Sequence, residues 1–254
     1  MDLHLRNRHV LVTGGTRGIG RAIAECFADE GAHVSLCARN GEAVREAVAA
    51  LKNKGVKAFG RALDVGDGAA LAAFITDAAE EMGGLDGLVA NASALTSGSG
   101  QADFEDAFRV DLMHTRNAAE AALPFLAKSD SASITAISSI SGIEDYGYGS
   151  VSYGTMKAAL FFYMKSLARH VAAKGIRANV VSPGATYFEG GYWDEVKRND
   201  PARFERVIAG IPLGRMASPA DIANVTVFLA SPRAGFISGS NVVVDGTDTD
   251  RVQL

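Results

Sequence analysis

Residues 11 to 28 read LVTGGTRGIGRAIAECFA: an apolar run that ends at Thr13, a turn with four glycines between Gly14 and Gly20, then a helix-period pattern. Glycine lets a chain turn tightly and lets a phosphate approach the N–H groups at a helix start, where the helix dipole favours an anion. Two phosphate-binding loops are candidates for this stretch. The nucleoside-triphosphatase loop G-x-x-x-x-G-K-[S/T] has the spacing of Gly15 and Gly20. Arg21 and Ala22, however, stand where its lysine and its magnesium-binding hydroxyl belong. The dinucleotide pattern G-x-G-x-x-G fails as well, because Ile23 stands where a third glycine would follow Gly18 and Gly20. What remains is T-G-x-x-x-G-x-G, with a strand before it and a helix after it.

The same alternation extends along the chain. Short apolar, β-rich runs fall at 9–13, 32–38, 56–62, 87–90, 133–138, 177–181 and 241–244. Amphipathic helix patterns lie near 18–30, 41–54, 67–82, 102–127, 152–174, 194–209 and 219–230. The β-rich runs are apolar without strict alternation, which is the pattern of strands buried on both faces. The pattern predicts an α/β fold over 1–254: one domain with a doubly wound, parallel, seven-stranded sheet, right-handed crossovers and helices on both faces. Ligands bind such sheets beyond the carboxyl ends of the strands.

Composition excludes several function classes. The 254 residues are 48% hydrophobic and 21% charged, with a formal net charge of -4 and no dense Lys/Arg run, so nucleic acid is not an expected partner. Apolar stretches are interrupted by charges well short of a membrane-spanning length, and no secretory signal is read at the N-terminus. Cys26 and Cys37 sit in apolar-periodic segments, which fits reduced thiols in a cytoplasmic protein. The five histidines are scattered and lack the spacing of a metal site. G-x-S-x-G is absent, which argues against a hydrolase of that type.

At 152–162 the chain reads SYGTMKAALFF. Tyr153 and Lys157 are four residues apart, so on a helix they share one face and their polar heads can share one site. An isolated Y-x-x-x-K is more often a core ring beside a lysine that reaches for water. Here it follows T-G-x-x-x-G-x-G in the same alternating chain.

In that order and spacing the two motifs resemble the short-chain dehydrogenase/reductase family, and particularly its 3-oxoacyl-[acyl-carrier-protein] reductase-like members, from Val10 to about Gly246. The resemblance implies a Rossmann fold and a dinucleotide held by Gly14, Thr16, Arg17, Gly18, Ile19 and Gly20 in the loop. Asp64 and Val65 would lie near adenine, with Asn91 and Ala92 after the fourth strand and Pro183, Gly184 and Thr186 after the sixth. It also implies Ser139 as a hydrogen-bond donor to the substrate oxygen, Tyr153 as acid/base, and Lys157 as its electrostatic partner and a holder of the nicotinamide ribose. Ser138 is the neighbouring alternative to Ser139; on a strand the two face opposite ways. A free tyrosine titrates near 10, and a neighbouring lysine with an oxidised nicotinamide favours the phenolate.

Cofactor choice is argued from charge. Family members that prefer NAD place an acid at the end of the second strand. Here that position is Ala38, followed by Arg39, and Arg17 adds a second cation. Two guanidiniums suit a 2′-phosphate, so NADP(H) is expected.

Two departures from the family stand out. Asp111, in FRVDLMH, occupies the place of a catalytic asparagine. An ionised aspartate accepts but cannot donate, and its charge acts on Lys157 and Tyr153. Three readings follow: a tolerated variant acting through its main chain, which is favoured, a slower enzyme, or a silent NADP(H)-binding redox sensor. Lys174 matches one carrier-protein docking position, but Asp130 stands at the other with the opposite charge. This favours a small free carbonyl compound or a coenzyme A thioester as substrate.

The segment 186–219 is expected to be a substrate lid. Tyr187 and Trp193 from it, with Ser93, Ser141, Ile143 and Tyr148, are expected to line the substrate site. The activity expected is interconversion of a ketone and a secondary alcohol. Oxidation of a sugar, polyol or other hydroxylated small molecule is the alternative direction. The family implies a homotetramer through helices near 102–127 and 152–174.

Overall fold

A computed structural model of the chain describes residues 1–252, apart from the side chain of Tyr148. Strand β1 (His9–Thr13) passes through the glycine turn into α1 (Gly18–Asp29). Then come β2 (His33–Ala38), α2 (Gly41–Asn53), β3 (Ala58–Ala62), α3 (Gly68–Met82) and β4 (Gly87–Ala90). The second half runs α4 (Gln101–Ala107), α5 (His114–Leu126), β5 (Ser133–Ile137), α6 (Val151–Val171), β6 (Arg177–Pro183), α7 (Tyr192–Asn199), α8 (Pro201–Gly210), α9 (Pro219–Ala230) and β7 (Asn241–Val244). The seven strands pair in parallel in the order β3-β2-β1-β4-β5-β6-β7. Chain order reverses between β1 and β4, and a crevice for ligands opens at such a switch point. The fold class read from the sequence is the one observed.

Side chains alternate across the sheet with the period of two that a strand imposes. Val10, Val12, Val34, Leu36 and Val181 pack with Ile23 and Phe27 of α1, Leu51 of α2 and Val227 of α9. Leu11, Leu88, Ile134, Ala136 and Val180 pack on the other face with Phe74 of α3, Leu126 of α5 and Met164 of α6. Removing each large side chain from water stabilises the fold by about 1.5–3 kcal/mol.

Two helices differ from the sequence reading. The span expected at 102–127 is interrupted by a π-helical turn, Phe108–Met113, which carries Asp111. Such turns concentrate at functional sites because the extra residue per turn re-aims a side chain. The helix expected at 194–209 divides at Asp200, whose backbone (φ -144, ψ 72) lies outside the helical region that Pro201 disfavours for the residue before it. The Asp200 carboxylate then accepts from the Arg203 N–H at 3.0 Å and starts α8.

Helix starts also differ in a way that bears on function. Asn40 caps α2, Asp67 caps α3, and Ser218 with Asp221 caps α9. Arg17 precedes α1 with no side-chain cap, and α1 has no acid in its first turn. Its leading N–H groups are free to meet an anion.

Candidate active site

The glycine turn is locked from below by β4. The Asn91 side-chain amide donates to the carbonyls of Thr13 at 2.9 Å and Gly14 at 3.2 Å. The N–H groups of Asn91 and Ala92 donate to the Thr13 hydroxyl at 3.0 and 3.2 Å. Gly20 is required by this packing, since a Cβ there would lie 2.2 Å from the Gly14 carbonyl oxygen. Asn91 and Ala92 therefore hold the loop, a job their place in the sequence did not reveal. The Thr13 hydroxyl also meets Nε2 of His114 at 2.9 Å, and His114 Nδ1 lies 3.1 Å from the Val110 carbonyl. Nδ1 facing a carbonyl must carry the proton, so Nε2 accepts from Thr13. Burial pushes this imidazole down to about 4, and it stays neutral at physiological pH. A lone buried histidine has no sequence signature, and His114 was not anticipated.

The second half of the site is built on α6. Tyr153 is half-buried, while Lys157 is 2% exposed, with its ammonium 5.5 Å from the centre of the Tyr153 ring. The Lys157 ammonium donates to the Ile137 carbonyl at the end of β5 at 3.0 Å. The short helical turn Ile140–Gly142 lies against the α6 backbone: a Cβ on Gly142 would lie 2.7 Å from the Ala158 nitrogen, and one on Gly154 2.6 Å from the Ser141 oxygen. This packing brings the segment after β5 onto the turn that bears Tyr153 and Lys157. The two serines are distinguished. Ser138 donates to the Lys157 carbonyl at 2.9 Å, whereas Ser139 accepts from the Ser141 N–H at 3.1 Å, and its own proton has no acceptor among the described residues.

Beneath Lys157 lies Asp111, 1% exposed, with Oδ1 3.2 Å from the ammonium. Oδ1 makes no aligned hydrogen bond, so it meets the ammonium as a charge; Oδ2 accepts from the Ala94 N–H at 3.4 Å. Burial works against the ammonium, but the charge of Asp111, then that of Tyr153, outweighs it and holds Lys157 above its ordinary value.

The expected cofactor residues at the outer strands are exposed. Arg17 precedes α1 and Arg39 follows β2, and these elements leave neighbouring strands whose ends are in register at Thr13 and Cys37. Asp64, two residues beyond β3, is held below the usual carboxylate range by the Gly66 N–H and by Arg109 at 3.0 Å. Val65 is buried. Ser93 turns its hydroxyl on the Leu95 N–H at 3.1 Å, and Ile143 offers its carbonyl to Arg251. Thr186 donates to the Gly184 carbonyl at 3.0 Å. The loop, the uncapped α1 and these strand ends fit a dinucleotide.

In the segment beyond β6, α7 packs on α8 in a small core of Ala185, Val196, Phe204, Ile211 and Met216. Tyr187 lies against Phe204, and Trp193 against Tyr192. Tyr187 and Trp193, expected at the substrate site, thus contribute to this packing, and the expected side chain of Tyr148 lies outside what is described. Asp130 pairs with Arg8, which also meets Asp86 at 3.3 Å. These residues, like Lys174, stand just ahead of the strands at the amino edge of the sheet, opposite Tyr153. The charge at 130 therefore loses its bearing on what the site of the same chain admits.

Residues 14–247 match the family described as enoyl-(acyl carrier protein) reductase. Isoepoxydon dehydrogenase of Penicillium expansum is 39% identical over 245 residues, 95% of each chain. L-sorbose reductase from Gluconobacter frateurii, solved with NADPH and L-sorbose, superposes with a TM-score of 0.91 at 30% identity over 99% of this chain and 100% of that one. A 7α-hydroxysteroid dehydrogenase solved with NADH and 7-oxo glycochenodeoxycholic acid also gives 0.91, at 28% identity over 99% of this chain and 98% of that one. The motifs read at Gly14–Gly20 and Tyr153–Lys157 thus lie within relationships that span nearly the whole chain, which belongs to the short-chain dehydrogenase/reductase family of oxidoreductases acting on alcohol and ketone groups.

Proposed function

We propose that the protein interconverts a ketone and a secondary alcohol with NADP(H), using Tyr153 as acid/base. The observation that carries this reading is the buried Lys157 ammonium under the half-buried Tyr153 ring, with Ser139, its proton uncommitted, heading the turn that packs on α6. Bound nicotinamide would supply or accept the hydride. Ser139 donates to the carbonyl oxygen, and Tyr153 gives its phenolic proton to the oxygen as the alcohol forms or takes it back in oxidation. Lys157, anchored by the Ile137 carbonyl, keeps a positive charge beside that phenol. Arg17 and Arg39 would hold the 2′-phosphate and Asp64 the adenine side.

The relatives that act on isoepoxydon and L-sorbose support a small, hydroxylated carbonyl compound as substrate, with 186–219 as the lid over it. Phe162 of α6 is 80% exposed, which suits assembly of a homotetramer through that helix. The free thiols of Cys37 and Cys26, pushed up by burial to about 12 and about 11, suit the reducing cytoplasm. Among the described residues no helix is long and apolar enough to cross a membrane.

The test is NADPH consumption across acetoacetyl thioesters, sugar lactones, cyclic ketones and diketones, with NADH and Tyr153→Phe as controls. Turnover that needs NADPH and Tyr153 is expected. NADPH binding without turnover in either direction would favour the redox-sensor reading, which the Asp111–Lys157 pair motivates because it neutralises the charge beside Tyr153.

A further inference from the structure

The free start of α1 is not open to solvent on all sides. A Cβ placed on Gly18, whose φ is +54, would lie 2.5, 2.7 and 2.9 Å from Cζ, Cε1 and Cε2 of Phe188. A Cβ placed on Gly191 would lie 2.7 to 2.9 Å from the same three atoms. The outer edge of the ring is therefore wedged between a glycine of the dinucleotide loop and a glycine of its own turn. The turn that presents it is ordered. The Gly191 N–H donates to the Phe188 carbonyl at 3.1 Å, and the Tyr187 N–H donates to the Ala217 carbonyl at 2.9 Å. Asp194 of α7 accepts from the Gly190 N–H at 2.9 Å and the Tyr187 hydroxyl at 3.1 Å.

This places an apolar ring against the residue that opens α1, a helix start with neither a side-chain cap nor a first-turn acid. A phosphate drawn to those N–H groups would compete with the ring for the space beside Gly18. We propose that Phe188 plugs the phosphate cradle and must withdraw before the dinucleotide's phosphates seat, so that cofactor binding and movement of the 187–194 turn are one event. The inference rests on the dinucleotide reading above. A protein whose competent state is only partly populated binds with an affinity reduced by that fraction, and association slows in proportion.

Two variants remove the plug by different routes. Phe188→Ala deletes the ring. Gly191→Ala leaves the ring but introduces a Cβ that displaces it, at a backbone position (φ -90, ψ 176) that alanine adopts without strain. Trp193, the one tryptophan of the chain, stands five residues from Phe188 and reports binding through quenching and energy transfer to NADPH. In stopped-flow titrations both variants are expected to bind NADPH with an association rate constant about tenfold higher and a Kd lower by a similar factor, as for a closed state populated at roughly 90%. Association unchanged or slowed in both variants, with melting temperatures near that of the parent, would overturn the plug and leave the dinucleotide reading intact. A parent protein that binds neither NADPH nor NADH in an equilibrium titration would overturn both.

Discussion

The Lys157 ammonium and the Asp111 carboxylate meet at 3.2 Å with both side chains sealed from solvent. The pair joins two elements far apart in sequence: α6, which carries Tyr153, and the π-helical turn ahead of α5. Each charge compensates the other where water does not reach. The relationship also changes what the phenol experiences. Tyr153 sits beside a lysine whose charge is already balanced, whereas an uncharged residue at 111 would leave the lysine's field unopposed.

Replacements at 111 separate the two effects. Asp111→Ala leaves a buried ammonium without its partner and is expected to cost about 3–5 kcal/mol in denaturant unfolding. Asp111→Asn keeps the shape and removes the charge. The limb of the pH–rate profile for alcohol oxidation that reports proton uptake by the acid/base residue is expected at lower pH than in the parent. A profile that does not move would mean that Asp111 and Tyr153 are electrostatically independent, and higher turnover without a pH shift would mark Asp111 as a steric hindrance.

Cofactor choice is tested at the ends of β1 and β2. Arg39→Asp in the background of Arg17→Gln replaces two exposed cations with one anion where a 2′-phosphate is proposed to lie. Loss of charge-assisted hydrogen bonds predicts a fall of about 10- to 100-fold in kcat/KM for NADPH, with NADH unaffected or improved. Equal losses for both cofactors would show that these arginines support the loop and do not select the cofactor.

Much of this arrangement was legible from residue order. The apolar runs and glycine turn carried the sheet, because strands buried on both faces have few alternatives, and the four-residue spacing placed Tyr153 over Lys157. What was hidden depends on contacts across the fold. Asn91 locks the loop through bonds to Thr13 and Gly14, 78 and 77 positions away. Phe188 meets Gly18 only because the chain returns from β6 to the first helix. The break at Asp200 was readable from Pro201, but the π-helical turn carries no such breaker.

Arg177, at the start of β6, is 8% exposed and spans the end of α9. It donates to the carbonyls of Leu229 at 2.6 Å, Ala230 at 3.2 Å, Ser231 at 3.1 Å and Ile237 at 3.4 Å. Lysine cannot reproduce this fan of donors, so Arg177→Lys is expected to lower stability by about 2–4 kcal/mol and to raise hydrogen exchange at the end of α9 first. A loss spread evenly over the protein, with α9 no more exposed than the rest, would count against the capping role.

His114 should make the fold sensitive to mild acid. Burial holds its imidazole at about 4 in the native state, against an ordinary value of 6.5, and His9 is held at about 4 for the same first reason. Well above pH 6.5 both rings are neutral whether the chain is folded or not, and neither contributes a pH dependence. Between 6.5 and 4 the unfolded chain takes up protons that the native rings refuse, so stability falls as pH falls, by up to roughly 3 kcal/mol per ring. His114→Gln removes one of the two. It is expected to be less stable than the parent at pH 7.5, because the bonds to Thr13 and Val110 are lost, yet to lose less further stability from pH 7 to pH 4.5. Thermal melts of the two proteins across that range give the comparison. Parallel curves would show that burial does not hold the His114 imidazole down in the folded protein.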